Sequence, residues 1–130
     1  MPQTGPSIKI TGIAGGTLTD KQYYGVTLET DEKYDLADSA GEYISGILAS
    51  PNKADDTIVV NDAISIVKSG RTSVVAGASF DCGVFLQIDA SGMAILAATD
   101  DIAFGESLRA STASGDIVPV WLFGSPTITT

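Results

Sequence analysis

The chain has 130 residues, a length that suits one domain with a hydrophobic core of its own. Apolar residues make up 44% of it and charged residues 18%, which indicates a folded protein and excludes a disordered tail. The net charge of −9 argues against electrostatic binding to nucleic acid, because a phosphate backbone would be repelled.

Residues 1–19 differ from the rest and are predicted to form an extended N-terminal arm. Proline and glycine prevent a helix there, while residues 8–11 alternate like a strand. Two interpretations stay open: a frayed terminus with an edge strand, or an arm that adds a strand to a neighbouring protein's sheet. In the second interpretation Ile8, Ile10 and Ile13 are the anchoring side chains.

The N-terminal sequence has neither the basic head nor the apolar run of a signal peptide. No apolar run approaches the ~20 residues of a membrane-spanning helix. We therefore expect a soluble protein that is made in a cytoplasm and has no membrane partner.

The first half of the domain predicts a series of short strands. A period-2 pattern over residues 22–29 is followed by a polar turn and a return strand at 34–36, which together predict a hairpin. A further strand at 43–49 contains Gly46, where a bulge or a close backbone contact would fit. After a loop at 50–56, residues 57–60 form a β-branched run that predicts another strand.

A bridge leads from this first unit to a second one. It is predicted as two strands, 63–68 and 72–76, joined by a turn at residues 69–71. Pro119 in the last strand predicts a free edge or a bulge at that point, and residues 125–130 are predicted to be a tail. The strands predicted for the second unit are 83–88, 93–96, 102–110 and 116–123.

The two units resemble one another in sequence. Gly25 and Val26 return as Gly83 and Val84 at a constant offset, and after one extra residue in a turn Ile58 returns as Ile117. We therefore predict an internal duplication, with pseudo-repeats at residues 25–60 and 83–120 inside a single domain of residues 20–124.

Turn signals every 8–12 residues and the lack of a sustained helical period predict an all-β fold. We expect a compact sandwich or barrel of about ten short antiparallel strands. The two similar units would share one core.

Catalytic constellations are missing from the sequence. The absence of histidine excludes Ser-His and Cys-His nucleophile systems. Cys82 is the only cysteine and is predicted to be a small buried thiol. The spacing of Cys, Met and Asp does not suit zinc, and we expect no catalytic residues, metal site or cofactor.

Carboxylates are the remaining candidates for chemistry. The adjacent pairs Asp55-Asp56 and Asp100-Asp101 are predicted to be solvated acidic loops, because the spaced pattern of a calcium loop is missing. A carboxylate-based hydrolase is disfavoured, since a sugar-cleaving site usually has an aromatic-lined cleft and aromatic residues are only 7% of the chain.

Aromatic residues fall into two groups. Phe104, Trp121 and Phe123 lie in apolar strands, which favours core or interface packing. Partly exposed tyrosines are common interface anchors, and the candidates here are Tyr23, Tyr24 and Tyr43.

Several stretches together resemble the small capsid cement proteins of tailed bacteriophages, also called decoration or head-stabilising proteins. The resemblance spans roughly residues 20–123 and consists of glycines, alanines and apolar alternation in a particular order. Asp55-Asp56 and Pro119 depart from the pattern of that family. The stretches are 46–49, 75–84, 87–92, 105–111 and 115–120.

This resemblance implies a non-enzymatic virion protein without a cofactor. It would bind the outer surface of an expanded capsid, with the major capsid protein as partner, and stabilise the head by bridging capsomers, often as a trimer. It would be made in the host bacterial cytoplasm, and Ile8, Ile10 and Ile13 would be its capsid-binding anchors.

The competing hypothesis is a ligand- or glycan-binding β module displayed on a virion. Such a module requires exposed aromatic side chains beside polar loops. The candidates are Tyr34, Tyr43 and the segment 31–38.

Overall fold

The computed structural model describes residues 7–51 and 57–129, and their regular structure consists only of strands. The predicted all-β fold is confirmed. The described residues contain no helix long and apolar enough to cross a membrane. The strands are β1 (Ile8–Ala14), β2 (Gly25–Thr30), β3 (Lys33–Leu36), β4 (Gly46–Pro51), β5 (Ala63–Val75), β6 (Phe85–Ile88), β7 (Ala94–Leu96), β8 (Ile102–Ser107) and β9 (Ile117–Ile128).

The strands close into two rings that share β5. The first ring runs β1-β3-β2-β4-β5 and returns to β1, which pairs antiparallel with residues 63–69 of β5. The second ring runs from residues 70–75 of β5 through β9, β8, β6 and β7. Of the strand pairs in the described residues, only β1 and β3 run parallel.

Both rings close in the same way. In the first, Ala14 pairs in parallel with Tyr34 at the end of β1. In the second, Ala76 pairs in parallel with Ala94 just after the end of β5. The next residue then donates its N–H to the same strand, from Gly15 to Tyr34 at 2.8 Å and from Gly77 to Ala94 at 2.7 Å. The second half of β5 therefore occupies in the second ring the position of β1 in the first.

The ladder register gives a residue-by-residue equivalence of the two rings. Val26 pairs with Gly46 in the first ring, and Leu86 pairs with Gly105 in the second. Val26 is therefore equivalent to Leu86 and not to Val84, which shifts the predicted equivalence of β2 by two residues. Gly25 accordingly corresponds to Phe85.

The ends of the repeats also differ from the prediction. Residues 57–60 are not a strand: Ile58 is buried, but the chain here is a loop that ends in a turn before β5. Ile117, the first residue of β9, corresponds to Ala63, the first residue of β5, and not to Ile58. The β-branched residues of this run form no ladder, and Ile58 reaches the core from a loop.

Strand lengths were underestimated at two places. The predicted turn at residues 69–71 lies inside β5, a strand of 13 residues that passes from one ring to the other. Gly70, with a φ of +95°, bends the strand without ending it. Similarly, residues 125–128 of the predicted tail belong to β9, where Ile102 pairs with Ile128.

Pro119 lies in an internal strand, at the point where the ladder between β9 and β8 ends. β9 pairs with β5 on one side and with β8 on the other. The Pro119 carbonyl accepts from the N–H of Leu108, which follows the last residue of β8. Because the nitrogen and the carbonyl of a strand residue face the same side, the absent donor points past the end of β8.

Two buried clusters form the core. One fills the first ring; its buried members are Ala14, Leu18, Val26, Leu48, Ile58, Ile64 and Ile66. The other fills the second ring and extends to the first through Ile44, Ile47 and Val67.

Gly46 and Gly105 are equivalent residues that meet equivalent carbonyls. A Cβ on Gly46 would lie 2.5 Å from the carbonyl oxygen of Val67, and one on Gly105 would lie 2.5 Å from that of Trp121. These distances explain the close backbone contact predicted at Gly46.

We expect Gly46→Ala and Gly105→Ala each to lower the free energy of unfolding by about 1–3 kcal/mol. The added methyl group would clash with a backbone carbonyl of the neighbouring strand, and that strand cannot move away without disrupting the ring. Gly15→Ala is the matched control: its Cβ would make only ordinary contacts at 3.4 Å. Urea denaturation measures all three. An effect of either ring variant as small as that of Gly15→Ala would contradict this explanation.

Candidate interaction surface

Among the described residues no three His, Cys, Asp or Glu side chains lie together in a way that could hold a metal ion. Asp55 and Asp56 lie outside the described residues. Asp100 adopts a left-handed φ of +73° in a turn, and the carboxylate of Asp101 lies against Gly41. Asp100 and Asp101 therefore lie in a loop, and neither belongs to a group of three such side chains in the described residues.

Asp116 is the carboxylate with the clearest local role. Its Oδ2 accepts hydrogen bonds from the N–H of Thr112 at 2.9 Å, the Thr112 hydroxyl at 3.0 Å and the N–H of Ala113 at 3.3 Å. These bonds, chiefly that from the Thr112 N–H, lower the pKa of Asp116 below its usual 3.8. In the first ring the equivalent Asp62 accepts from the N–H of Val59 at 2.8 Å, so the same device closes both loops.

Cys82 is exposed, so the prediction of a buried thiol is wrong. It lies in the turn before β6, between an exposed aspartate and Gly83. Gly83 has a φ of +80°, which fits this turn and not the strand that the sequence pattern predicted.

The three isoleucines of the predicted arm lie in β1, inside the protein's own sheet. Ile8, Ile10 and Ile13 pair with residues of β5, so these residues are part of the first ring. Ile8 is 57% exposed, whereas Ile10 and Ile13 are half-buried and Ile10 packs on the core of that ring. Of the three, Ile8 presents the most side chain to a partner.

Of the three candidate tyrosines, Tyr23 and Tyr24 line one pocket and Tyr43 lines another. Tyr23 packs on the core with a left-handed φ of +71°, at the position equivalent to Gly83. Tyr24 is half-buried beneath the ammonium of Lys21, which lies 4.8 Å from the ring centroid. Tyr43 is 40% exposed in the connection between β3 and β4.

The residues proposed for glycan binding differ in their surroundings. Tyr34 packs over Gly12, where an added Cβ would lie 2.5 Å from the tyrosine ring, and it packs against the core of the first ring. Tyr43 is 40% exposed and lines a pocket with Lys68 and Phe104.

The largest exposed aromatic cluster was not among the sequence candidates for a site. Phe85 and Trp121 flank Glu106 in one row across β6, β8 and β9. Phe85 is 42% exposed and Trp121 is 37% exposed, and the Phe123 ring meets Phe85 edge to face at 5.1 Å. We call the surface of Phe85, Glu106, Trp121 and Phe123 the aromatic face.

The alternation of buried and exposed residues along β9 indicates this face. Val118, Val120 and Leu122 are buried, so the intervening Trp121 and Phe123 must point outward. An apolar run with large aromatic residues at every second position thus combines a core side and an exposed side.

Comparison with known proteins finds a likeness among solved structures. No family model matches the sequence, and no curated protein matches it. Among solved structures, the chain is similar to the N base of the head fiber protein gp8.5 of bacteriophage phi29, with a TM-score of 0.65 and 14% identity. The alignment covers 94% of this chain and 98% of that one. At this identity the likeness establishes the fold.

The Asp116 loop predicts a pH-dependent contribution to stability. Because the pKa of Asp116 is lowered in the folded state, its contribution is present above the pKa of the unfolded chain and is lost as the pH falls through the folded pKa. Asp116→Ala should lower the midpoint of thermal unfolding at pH 7, and the difference from wild type should shrink at acidic pH. Asp81→Ala, an exposed aspartate, is the control. A pH-independent difference for Asp116→Ala would rule out the carboxylate as its cause.

Proposed function

We propose that this chain is a non-enzymatic virion structural protein that binds the outer surface of an expanded phage capsid and stabilises it by bridging capsomers. The observation that carries the proposal is the likeness in fold to the base of a phage head fiber, which extends over nearly all of both chains. The sequence pattern of the capsid cement proteins independently supports a role on the head. The partner is then the major capsid protein.

The physical character of the chain suits such a role. Both rings are closed, so few strand edges are left to pair with unrelated chains. The net charge of −9 keeps copies at high local density from sticking nonspecifically. A trimer on the capsid would join several weak contacts into a firm attachment by effective concentration.

We further propose that the end of the first ring that carries Ile8 meets the capsid. Ile8 exposes 57% of its surface at the beginning of β1, and the neighbouring Ser7 is held by a 2.8 Å hydrogen bond to the carbonyl of Arg71. This end therefore presents an exposed apolar side chain on backbone that is fixed to the sheet. A fixed apolar side chain loses less entropy on binding than one on a mobile arm.

Co-sedimentation of the purified protein with expanded phage heads that lack it tests the proposal at moderate salt. We expect saturable binding at a copy number set by the three-fold positions of the lattice. Absence of binding to expanded heads would overturn the head-stabilising function.

The same assay tests the contact at Ile8. We expect Ile8→Asp to weaken binding at least about tenfold, because burial of an isoleucine side chain contributes ~1.5–3 kcal/mol. Val60→Asp is the matched control, since Val60 is an apolar residue that is 49% exposed in a loop of the same ring. Circular dichroism establishes that both variants are folded. Equal binding by the two variants would exclude Ile8 from the contact.

A further inference from the structure

The aromatic face has an exact counterpart in the first ring, and there it is covered. In the second ring the row runs Arg71, Trp121, Glu106, Phe85 across four strands. In the first ring the equivalent row runs Lys9, Val67, Ile47, Gly25.

The second ring itself covers the row of the first ring. Val67 and Ile47 are 2% and 0% exposed and belong to the same buried cluster as Ile88 of the second ring. Gly25 lies directly under Ile88, whose Cδ1 would be 2.5 Å from an added Cβ. The N–H of Gly25 also donates to the carbonyl of Gly92 at 2.8 Å. The outward-facing row of the first ring is therefore the surface on which the second ring packs. We call a surface of this kind a seat.

In the second ring the same row is open. Where the first ring has glycine and valine, the second has Phe85 and Trp121, both exposed by more than a third. Their aromatic surface, enlarged by Phe123, is of the kind that forms the core of protein interfaces.

The first ring carries the matching surface for this seat. Ile88, which covers Gly25, is equivalent to Leu28 of the first ring by its place in the ladder. Ile88 is 1% exposed, whereas Leu28 is 54% exposed in the middle of β2. Leu122 and Phe104, which share the buried cluster with Ile88, are equivalent to Lys68 and Ser45. We call the three first-ring residues Leu28, Ser45 and Lys68 the leucine face. Leu28 is its exposed member, while Ser45 and Lys68 are half-buried and line a pocket with Phe104 and Leu122 of the second ring.

We propose that the aromatic face binds the leucine face of a second copy of this chain, in a head-to-tail contact that uses the equivalent surfaces of the two rings, with large side chains in place of the close backbone approach at Gly25. In this contact Phe85 would pack against Leu28 of the second copy. The equivalent residues between the two rings of one chain are Gly25 and Ile88. The charges are complementary, because the aromatic face carries Glu106 and the leucine face carries Lys68, whose ammonium donates to the carbonyl of Ser45. Both faces are present on every copy, so the contact is heterologous and can close into a cyclic oligomer.

Sedimentation velocity of the free protein tests this contact without phage heads, so its outcome is separate from that of the head-binding assay. We expect wild type to self-associate as its concentration rises. Phe85→Asp destroys the aromatic face and Leu28→Asp destroys the leucine face; each variant alone should weaken association at least about tenfold. Val60→Asp, outside both faces, should associate like wild type.

A mixture of Phe85→Asp and Leu28→Asp is the decisive sample. Each variant keeps one intact face, so the mixture should form a one-to-one dimer that does not grow further. Self-association of Leu28→Asp alone would indicate that aromatic faces meet each other, and would overturn the head-to-tail contact. Monomeric wild type up to about 1 mM would overturn it as well.

Discussion

Both halves of the fold depend on one strand. β5 closes the first ring with its residues 63–69 and opens the second with residues 70–75, so neither ring can form without it. The change of ring occurs at Gly70, whose φ of +95° is available to glycine at little cost. The equivalent residue of β9 is Gly124, where φ is +80° and the strand continues to Ile128 while still paired with β8. A glycine with a left-handed φ thus lies at the same place in both long strands.

The repeat explains the chemistry of the two outer rows. Packing one ring on another requires the backbones to approach closely, and Gly25 provides that space under Ile88. At the equivalent place the second ring has Phe85, whose side chain is 42% exposed. Identical ladder geometry therefore supports a buried seat in one ring and an exposed aromatic surface in the other. The two rows differ in side-chain volume. Small residues permit the interface between the rings in the first row, and large aromatic residues form the exposed surface of the second row.

The loops that end the rings are held by carboxylates, as Asp62 and Asp116 show by accepting backbone N–H groups at equivalent positions. In both carboxylates Oδ2 accepts from the backbone of the loop that it closes. A β scaffold of this kind can carry many functions, and the exposed side chains decide which one it carries.

The sequence by itself determined the strand class, the existence of a repeat and the close approach at Gly46, because alternation and glycine spacing are local properties of the chain. Tertiary structure alone decided the register. Gly25 and Gly83 occupy matching places in the sequence repeat, but their structures differ. Gly25 lies under Ile88, whereas Gly83 forms a left-handed turn at the place where the first ring has Tyr23. Likewise Ile58 lies in a strand-like run but reaches the core from a loop, and Cys82 looks like the start of a strand but lies exposed in a turn. Which face of a strand is covered depends on the neighbouring ring, and no local pattern contains that information.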